Sequence, residues 1–235
     1  MSAPVPTAAE AVLYVSRWTA WAPGLKTTED WGEWARGNRP IEKSGAGPAL
    51  KFADPLFRRR LSQISCMTVQ VLHDLMPFGE QTKIVFVSFR GELARQLKIN
   101  RMLVNEGSLT PAAFSFSVFN APPALATIAL GLSAGYSAVY PAYNRFAAGL
   151  LAAAAPILCG DAAEIALAYA DELIPPEYES LCPACAEPFA FAALLAAKPG
   201  DTVLSLRFPS EGVYAETSDG PMDSPAAFLK YLCRS

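Results

Sequence analysis

The sequence predicts an α/β layered fold with a largely buried sheet, on three observations. Short runs rich in β-branched and aromatic residues alternate with longer segments of helical periodicity. Apolar residues make up 52% of the 235 positions and charged ones 17%, against roughly 45–50% and about 25% in an average soluble domain, so an unusual share of surface is destined for burial. No Asp, Glu, Lys or Arg occurs between Glu106 and Arg145, as expected of elements covered on both faces or by a partner subunit. With no internal repeat and no linker, residues 1–235 are expected to form a single domain.

Taken in order, Ala11 to Trp18 contains AVLYV, a first strand. Pro, Gly and charge then dominate to about Phe52, so residues 17–55 are expected as a long loop. Trp18, Trp21, Trp31 and Trp34 fall in or beside that loop, which must pack back on the domain or dock on something else. Arg58, Arg59 and Arg60 open a helix whose core-facing positions are Leu61, Ile64, Thr68, Val71, Leu72 and Leu75, and Pro77 stops it. KIVFVS from Lys83 to Ser88 reads as a strand, and Gly91 leads into a helix ended at Gly107. Asn120 to Leu132 reads as a helix with Pro122 and Pro123 in its first turn, where missing amide donors cost little. Ser137 to Tyr140 is a short strand, and Phe146 to Leu158 an alanine-rich buried helix. Ala163 to Ala170, Phe189 to Ala197 and Thr202 to Phe208 supply further strands.

Charge and rare residues exclude several functions. Lys and Arg number 19 and Asp and Glu 22, a net charge of −3, so there is no basic excess to attract nucleic acid. The single histidine, His73, removes mechanisms that need two imidazoles on this chain. Five thinly spread cysteines do not form the framework of a small secreted domain, and Met1 to Glu10 lacks the basic and apolar regions of a signal peptide, so a reduced, cytoplasmic location is expected. The uncharged stretch is broken by Pro111, Pro122, Pro123, Gly131, Gly135 and Pro141, and Phe146 to Leu158 falls short of the ~20 apolar residues of a spanning helix, so no membrane insertion is expected.

Few constellations carry chemistry. Cys182 and Cys185 have the spacing of a redox pair or of half a metal site, but no second close pair completes a zinc site, and four prolines place them in a loop rather than at a helix start. Cys66 and Cys233 have no neighbouring base in sequence, and Cys159 precedes a helix end. His73 lies two turns from Cys66, about 10 Å along the helix axis, too far for a hydrogen bond. Asp171 and Glu172 end a strand, a place where α/β folds keep catalytic carboxylates, although the pair is expected as a solvated strand end. No cofactor and no metal are expected.

A set of segments carries a resemblance. RRRLSQIS from Arg58 to Ser65, FVSFRGEL from Phe86 to Leu93 and LTPAAFSFSVFN from Leu109 to Asn120 are followed by IALG from Ile128 to Gly131, NRFAAGLL from Asn144 to Leu151 and ADELIP from Ala170 to Pro175. In this order and spacing they resemble the β-ketoacyl synthase-like N-terminal family, relatives of the first half of ketosynthases. Within that family the chain resembles the short chain-length-factor-like subunits of aryl polyene pathways. The resemblance implies a single thiolase-like fold, the ketosynthase N-terminal half, with a mixed sheet.

It also implies what is missing. A ketosynthase carries its nucleophilic cysteine after a strand, at the turn opening a buried helix. Here that place falls on or near Tyr143, a phenol, which cannot replace a thiolate in forming an acyl thioester at neutral pH. The two catalytic histidines of the family come from a second half that this chain lacks. The resemblance therefore implies a non-catalytic, chain-length-factor-like subunit paired with an active ketosynthase in polyene, polyketide or fatty-acid-like synthesis. Phe114, Phe116, Phe119, Asn120, Tyr136, Ser137, Val139, Tyr140 and Tyr143 would meet the partner and close its acyl tunnel. Arg58, Arg59 and Arg60, a solvated helix start by composition, would touch an acidic acyl carrier protein. A stand-alone carrier-protein-binding module, or an acyl-transfer enzyme using Cys66 or Cys159, is the alternative.

Overall fold

The computed structural model describes residues 9–141, 145–181, 187–198, 202–208, 214–217 and 220–234. Its centre is one mixed sheet built from β1 (Ala9–Trp21), β2 (Lys83–Val87), β3 (Tyr136–Val139), β4 (Glu164–Asp171), β5 (Phe189–Ala196), β6 (Thr202–Phe208), β7 (Tyr214–Thr217) and β8 (Gly220–Pro221). The strand order is β3-β2-β4-β5-β1-β6-β7-β8. β3, β2 and β4 run parallel, while β5 is antiparallel to both β4 and β1, and β6 is antiparallel to β1. β4 and β5 read EIALAYAD and FAFAALLA, with almost every residue buried, the unbroken apolar pattern of strands covered on both faces.

Helices supply those covers: α1 (Thr28–Arg36), α2 (Pro55–Arg58), α3 (Gln63–Leu75), α4 (Leu93–Glu106), α5 (Pro111–Ser115), α6 (Ala121–Leu130), α7 (Phe146–Leu158) and α8 (Pro225–Arg234). On one face α7, α1 and α8 bury Phe146, Trp31, Trp34 and Phe228 against Tyr169 and Phe191. On the other, α3 and α6 pack on a sheet surface of Ala166, Ala168, Ala170, Ala190 and Ala192. Small side chains there let α3 sit close to the sheet with Ile64, Met67 and Leu72 fully buried. Among the described residues, no helix is long and apolar enough to cross a membrane.

Three sequence expectations are corrected. The first strand is longer than Ala11 to Trp18, and residues 17–55 are not loop throughout. Trp18 and Trp21 lie on β1, and Trp31 and Trp34 on α1, where their rings meet edge to face at 5.4 Å. The helix is set by a capping box, Thr27 and Asp30 each satisfying the other's backbone N–H, and by Gly37, which closes it at φ 82°. The Arg58–Arg60 triplet does not open α3. Asp54 caps the separate short α2 with Pro55 in its first turn, and the Ser62 hydroxyl accepts the Ser65 N–H to start α3 at Gln63.

Helix α7 is held against β2 at one close approach. A Cβ on Gly149 would stand 2.6 Å from a Val87 methyl. Gly149→Ala is expected to destabilise the protein by about 1–2 kcal/mol, the ~1–3 of overpacking outweighing the ~1 that Ala gains in a helix. Urea unfolding of Gly149→Ala, Val87→Ala and the double variant checks this. The double variant should cost less than the two singles added, and strict additivity would contradict the contact.

Candidate functional site

The carboxyl ends of β2 and β4 meet at a buried polar cluster. Asp171 ends β4, Glu172 follows it, and both are buried, which overturns the expected solvated strand end. The cause is local: each carboxylate accepts backbone N–H groups of the turn after β2 or of a helix's first turn. Asp171 Oδ1 accepts from the Ser88 hydroxyl at 2.6 Å and from the N–H groups of Phe89 and Arg90 at 3.2 Å. Its Oδ2 accepts from the Tyr169 hydroxyl at 2.7 Å and lies 3.3 Å from Arg90 Nη2. The turn after β2 is thereby fixed to the end of β4. Gly91 completes that turn at φ 60°, and an added Cβ would stand 2.9 Å from the Phe119 ring.

Glu172 ties two helices together. Its Oε1 accepts the Ala94 N–H at 2.8 Å, and the Ile64 amide also favours its charged form. These are orphan first-turn amides of α4 and α3, so one side chain sits at the positive ends of both helix dipoles. Glu92, the residue before α4, adds a second tie, its Oε1 accepting from the Ser62 and Ser65 hydroxyls at 2.7 and 2.6 Å. Its Oε2 lies 3.0 Å from Arg95 Nε. Gln63 Oε1 in turn accepts the Leu173 N–H at 2.8 Å.

Burial raises the proton affinity of Glu172, Glu92 and the nearby Tyr140. Desolvation pushes the Glu172 carboxyl up to about 7, assisted by the charge of Glu92 and opposed by the Ala94 and Ile64 amides and Arg95. Burial pushes Glu92 up as well, against the Ser65 and Ser62 hydrogen bonds and Arg95. The Tyr140 phenol is raised by burial and then by Asp171 and Glu92, so it stays protonated. Burial also lifts the Cys66 thiol to about 11, far from thiolate at neutral pH. His73, on the same helix, stacks on Phe52 with ring centroids 3.6 Å apart and pairs with Asp74.

The second feature is the open edge at β3. Ile84 and Ser88 N–H donate to the Gly135 and Val139 carbonyls, so the alternation of a parallel ladder turns the N–H and C=O of Tyr136 and Ala138 away from β2. Beside this edge the Asn120 amide donates to the Tyr136 hydroxyl at 3.0 Å, the Tyr140 hydroxyl donates to the Phe119 carbonyl, and the Phe119 and Tyr140 rings lie 4.4 Å apart. Asn120, Phe119, Tyr136 and Tyr140 thus form one group. Phe114 (59% exposed), Phe119 (52%) and Ile128 (70%) leave large apolar surface in water around it. Phe116 points elsewhere, under the Arg95 guanidinium at 5.3 Å. Arg58 donates to the Ala49 carbonyl at 2.8 Å, while Arg59 and Arg60 are exposed and line a groove beside α4. Tyr143, Cys182 and Cys185 lie outside the described residues. Glu92 is the member of the cluster that sequence reasoning missed. Its signal was an acidic residue directly before a helix.

Because folding raises this carboxyl, its contribution to stability is full at and below the unfolded value of 4.5, falls as pH rises to about 7, and is level above that. Glu172→Gln keeps one acceptor and removes the charge. Relative to the parent it should gain stability across pH 5 to 7.5, by up to ~3 kcal/mol. Urea unfolding at four pH values checks this, and parallel pH profiles for parent and variant would refute it.

The comparisons with known proteins agree with this geometry. No curated protein sequence matches the chain. Among solved structures, a chain of the ketosynthase (ApeO) in complex with its chain length factor (ApeC) from Xenorhabdus doucetiae superposes with a TM-score of 0.72 at 25% identity, over 96% of this chain and 92% of that one. The ishigamide ketosynthase/chain length factor gives 0.60 at 15% identity, over 79% of this chain and 62% of that one, and so does the AntDE:AntF complex of a type II ketosynthase with its acyl carrier protein. The sheet and its helices are thus the thiolase-like fold of ketosynthases. Residues 31–231 match the family model of the β-ketoacyl synthase N-terminal domain, and the chain belongs to that family.

Proposed function

We propose that this chain is a cytoplasmic, non-catalytic, chain-length-factor-like subunit that pairs through β3 with an active ketosynthase and closes the end of its acyl tunnel. The observation that carries the proposal is the open β3 edge with its exposed aromatic surround. In that reading the outward N–H and C=O groups of Tyr136 and Ala138 join a partner strand, and Phe114, Phe119 and Ile128 bury their apolar surface against the same partner. The ApeO–ApeC likeness supports this reading, because a chain in that heteromeric assembly is matched over nearly its full length. The site residue Tyr143 takes the nucleophile's place, and the aromatic groups near it set product length in an aryl polyene or related pathway. Arg59 and Arg60 remain free to receive an acidic acyl carrier protein.

Two experiments test the proposal. Co-expression with the ketosynthase encoded nearest to it should give a stable one-to-one complex by size and mass analysis. Ala138→Pro removes an outward donor at a position where an edge strand tolerates proline. It should leave the fold intact by circular dichroism yet weaken the complex at least tenfold, about 1.4 kcal/mol. An unaffected complex would rule out strand pairing. In a reconstituted system, Tyr143→Ala should lengthen the product, and an unchanged product would remove Tyr143 from the tunnel.

A further inference from the structure

Five arginines are spent on carboxylates: Arg36 on Glu33, Arg39 on Asp30, Arg90 on Asp171, Arg95 on Glu92 and Arg101 on Glu177. Arg59, Arg60 and Lys98 take part in no ion pair among the described residues, and all three line one groove of about 740 Å³. They come from two separate segments, the turn between α2 and α3 and the second turn of α4, so their meeting is a product of the fold. On a chain of net charge −3 this concentration of free cations is local.

The lining of the groove mixes two chemistries. Arg59, Arg60 and Lys98 bring charge, and Phe116, Ile174 and Pro175 bring apolar surface. Arg95 does not add free charge, because Glu92 neutralises it, but it stacks over the Phe116 ring and holds that ring in place. Glu172 also lines the groove, buried, and is its one carboxyl. Such a volume suits a small ligand, typically ~300–1,000 Å³.

We propose that this groove binds a small phosphate ester, its dianionic phosphate on Arg59, Arg60 and Lys98 and its apolar arm against Phe116 and Pro175. Guanidinium groups match phosphate oxygens in paired hydrogen bonds, and three unpaired cations exceed what a monocarboxylate would neutralise. The site shares Arg59 and Arg60 with the carrier-protein contact proposed above but uses none of the β3 edge. The charged groups that act on Glu172 are Glu92 and Arg95 at the start of α4, and Arg59, Arg60 and Lys98 line the same groove. Its ionised form opposes an anion in the groove, so Glu172→Gln strengthens binding at a pH above the carboxyl's titration.

Calorimetric titration of the full chain with phenyl phosphate at pH 8, where the ester is a dianion, tests the site. Saturable binding is expected with Kd on the order of 0.1–1 mM, at least tenfold tighter than inorganic phosphate, with no binding of phenol. The triple variant Arg59→Ala, Arg60→Ala, Lys98→Ala, all at exposed positions, should weaken binding at least tenfold. Arg36→Ala on α1, far from the groove, should leave it unchanged, and Glu172→Gln should tighten it severalfold. Phenyl phosphate binding no better than inorganic phosphate would overturn the apolar contact. Undiminished binding by the triple variant would overturn the site.

Discussion

Everything on the carboxyl side of the sheet depends on two adjacent carboxylates at the end of β4. Asp171 and Glu172 lie where the chain leaves a buried strand, and the groups around them are backbone amides, hydroxyls and the Arg90 guanidinium. An apolar residue at either position would strand several buried donors, each costing about 1–3 kcal/mol. The acids therefore belong to the backbone's hydrogen-bond requirement as much as to any chemistry. Asp171 satisfies the turn after β2, and Glu172 satisfies the first turns of α3 and α4. With Glu92 and its two serine partners, they tie the starts of α3 and α4 together.

That arrangement has a consequence for the edge of the sheet. Gly91, in the turn fixed by Asp171, is pressed by the Phe119 and Tyr140 rings. Tyr140 directly follows β3, and its hydroxyl is anchored to the Phe119 carbonyl. A rigid chain of contacts therefore runs from the buried acids through the glycine turn to the aromatic group beside the open strand. Side chains on that edge are pre-organised, which lowers the entropic cost of docking them on another surface.

Much of this fold was legible in the sequence, and what was not has definite physical reasons. Lys83–Val87, Phe146–Leu158 and Phe189–Ala196 stood out because their apolar periodicity and flanking breakers agree. Helix α1 was hidden because its composition is polar, although Thr27, Asp30 and Gly37 spell its caps. The start of α3 was misplaced because arginine has good helix propensity, while Ser62 decides the boundary through one hydrogen bond. The Asp171–Glu172 pair was read as solvated because charge in sequence normally means exposure. Only tertiary structure brings Ser88, Tyr169, Ala94 and Ile64 around it. Resemblance to ketosynthase segments pointed to the β3 edge, whereas the meeting of Arg59, Arg60 and Lys98 at one groove follows from packing alone.

The β3 edge also lacks the usual defences of an exposed strand. Sheets discourage edge-to-edge association with lysines, bulges or proline within the strand. β3 reads YSAV, without charge, proline or irregular register against β2, and the nearest charges in sequence are Glu106 and Arg145. The opposite flank of the parallel strands is closed by β5 and β1. An undefended edge beside exposed Phe114, Phe119 and Ile128 is a liability for a lone chain and an asset for a paired one. Under the pairing proposed above, the same uncharged stretch that reads as excess core in the composition is surface kept apolar for a partner, and the strand edge rather than the buried acids behind it makes the contact.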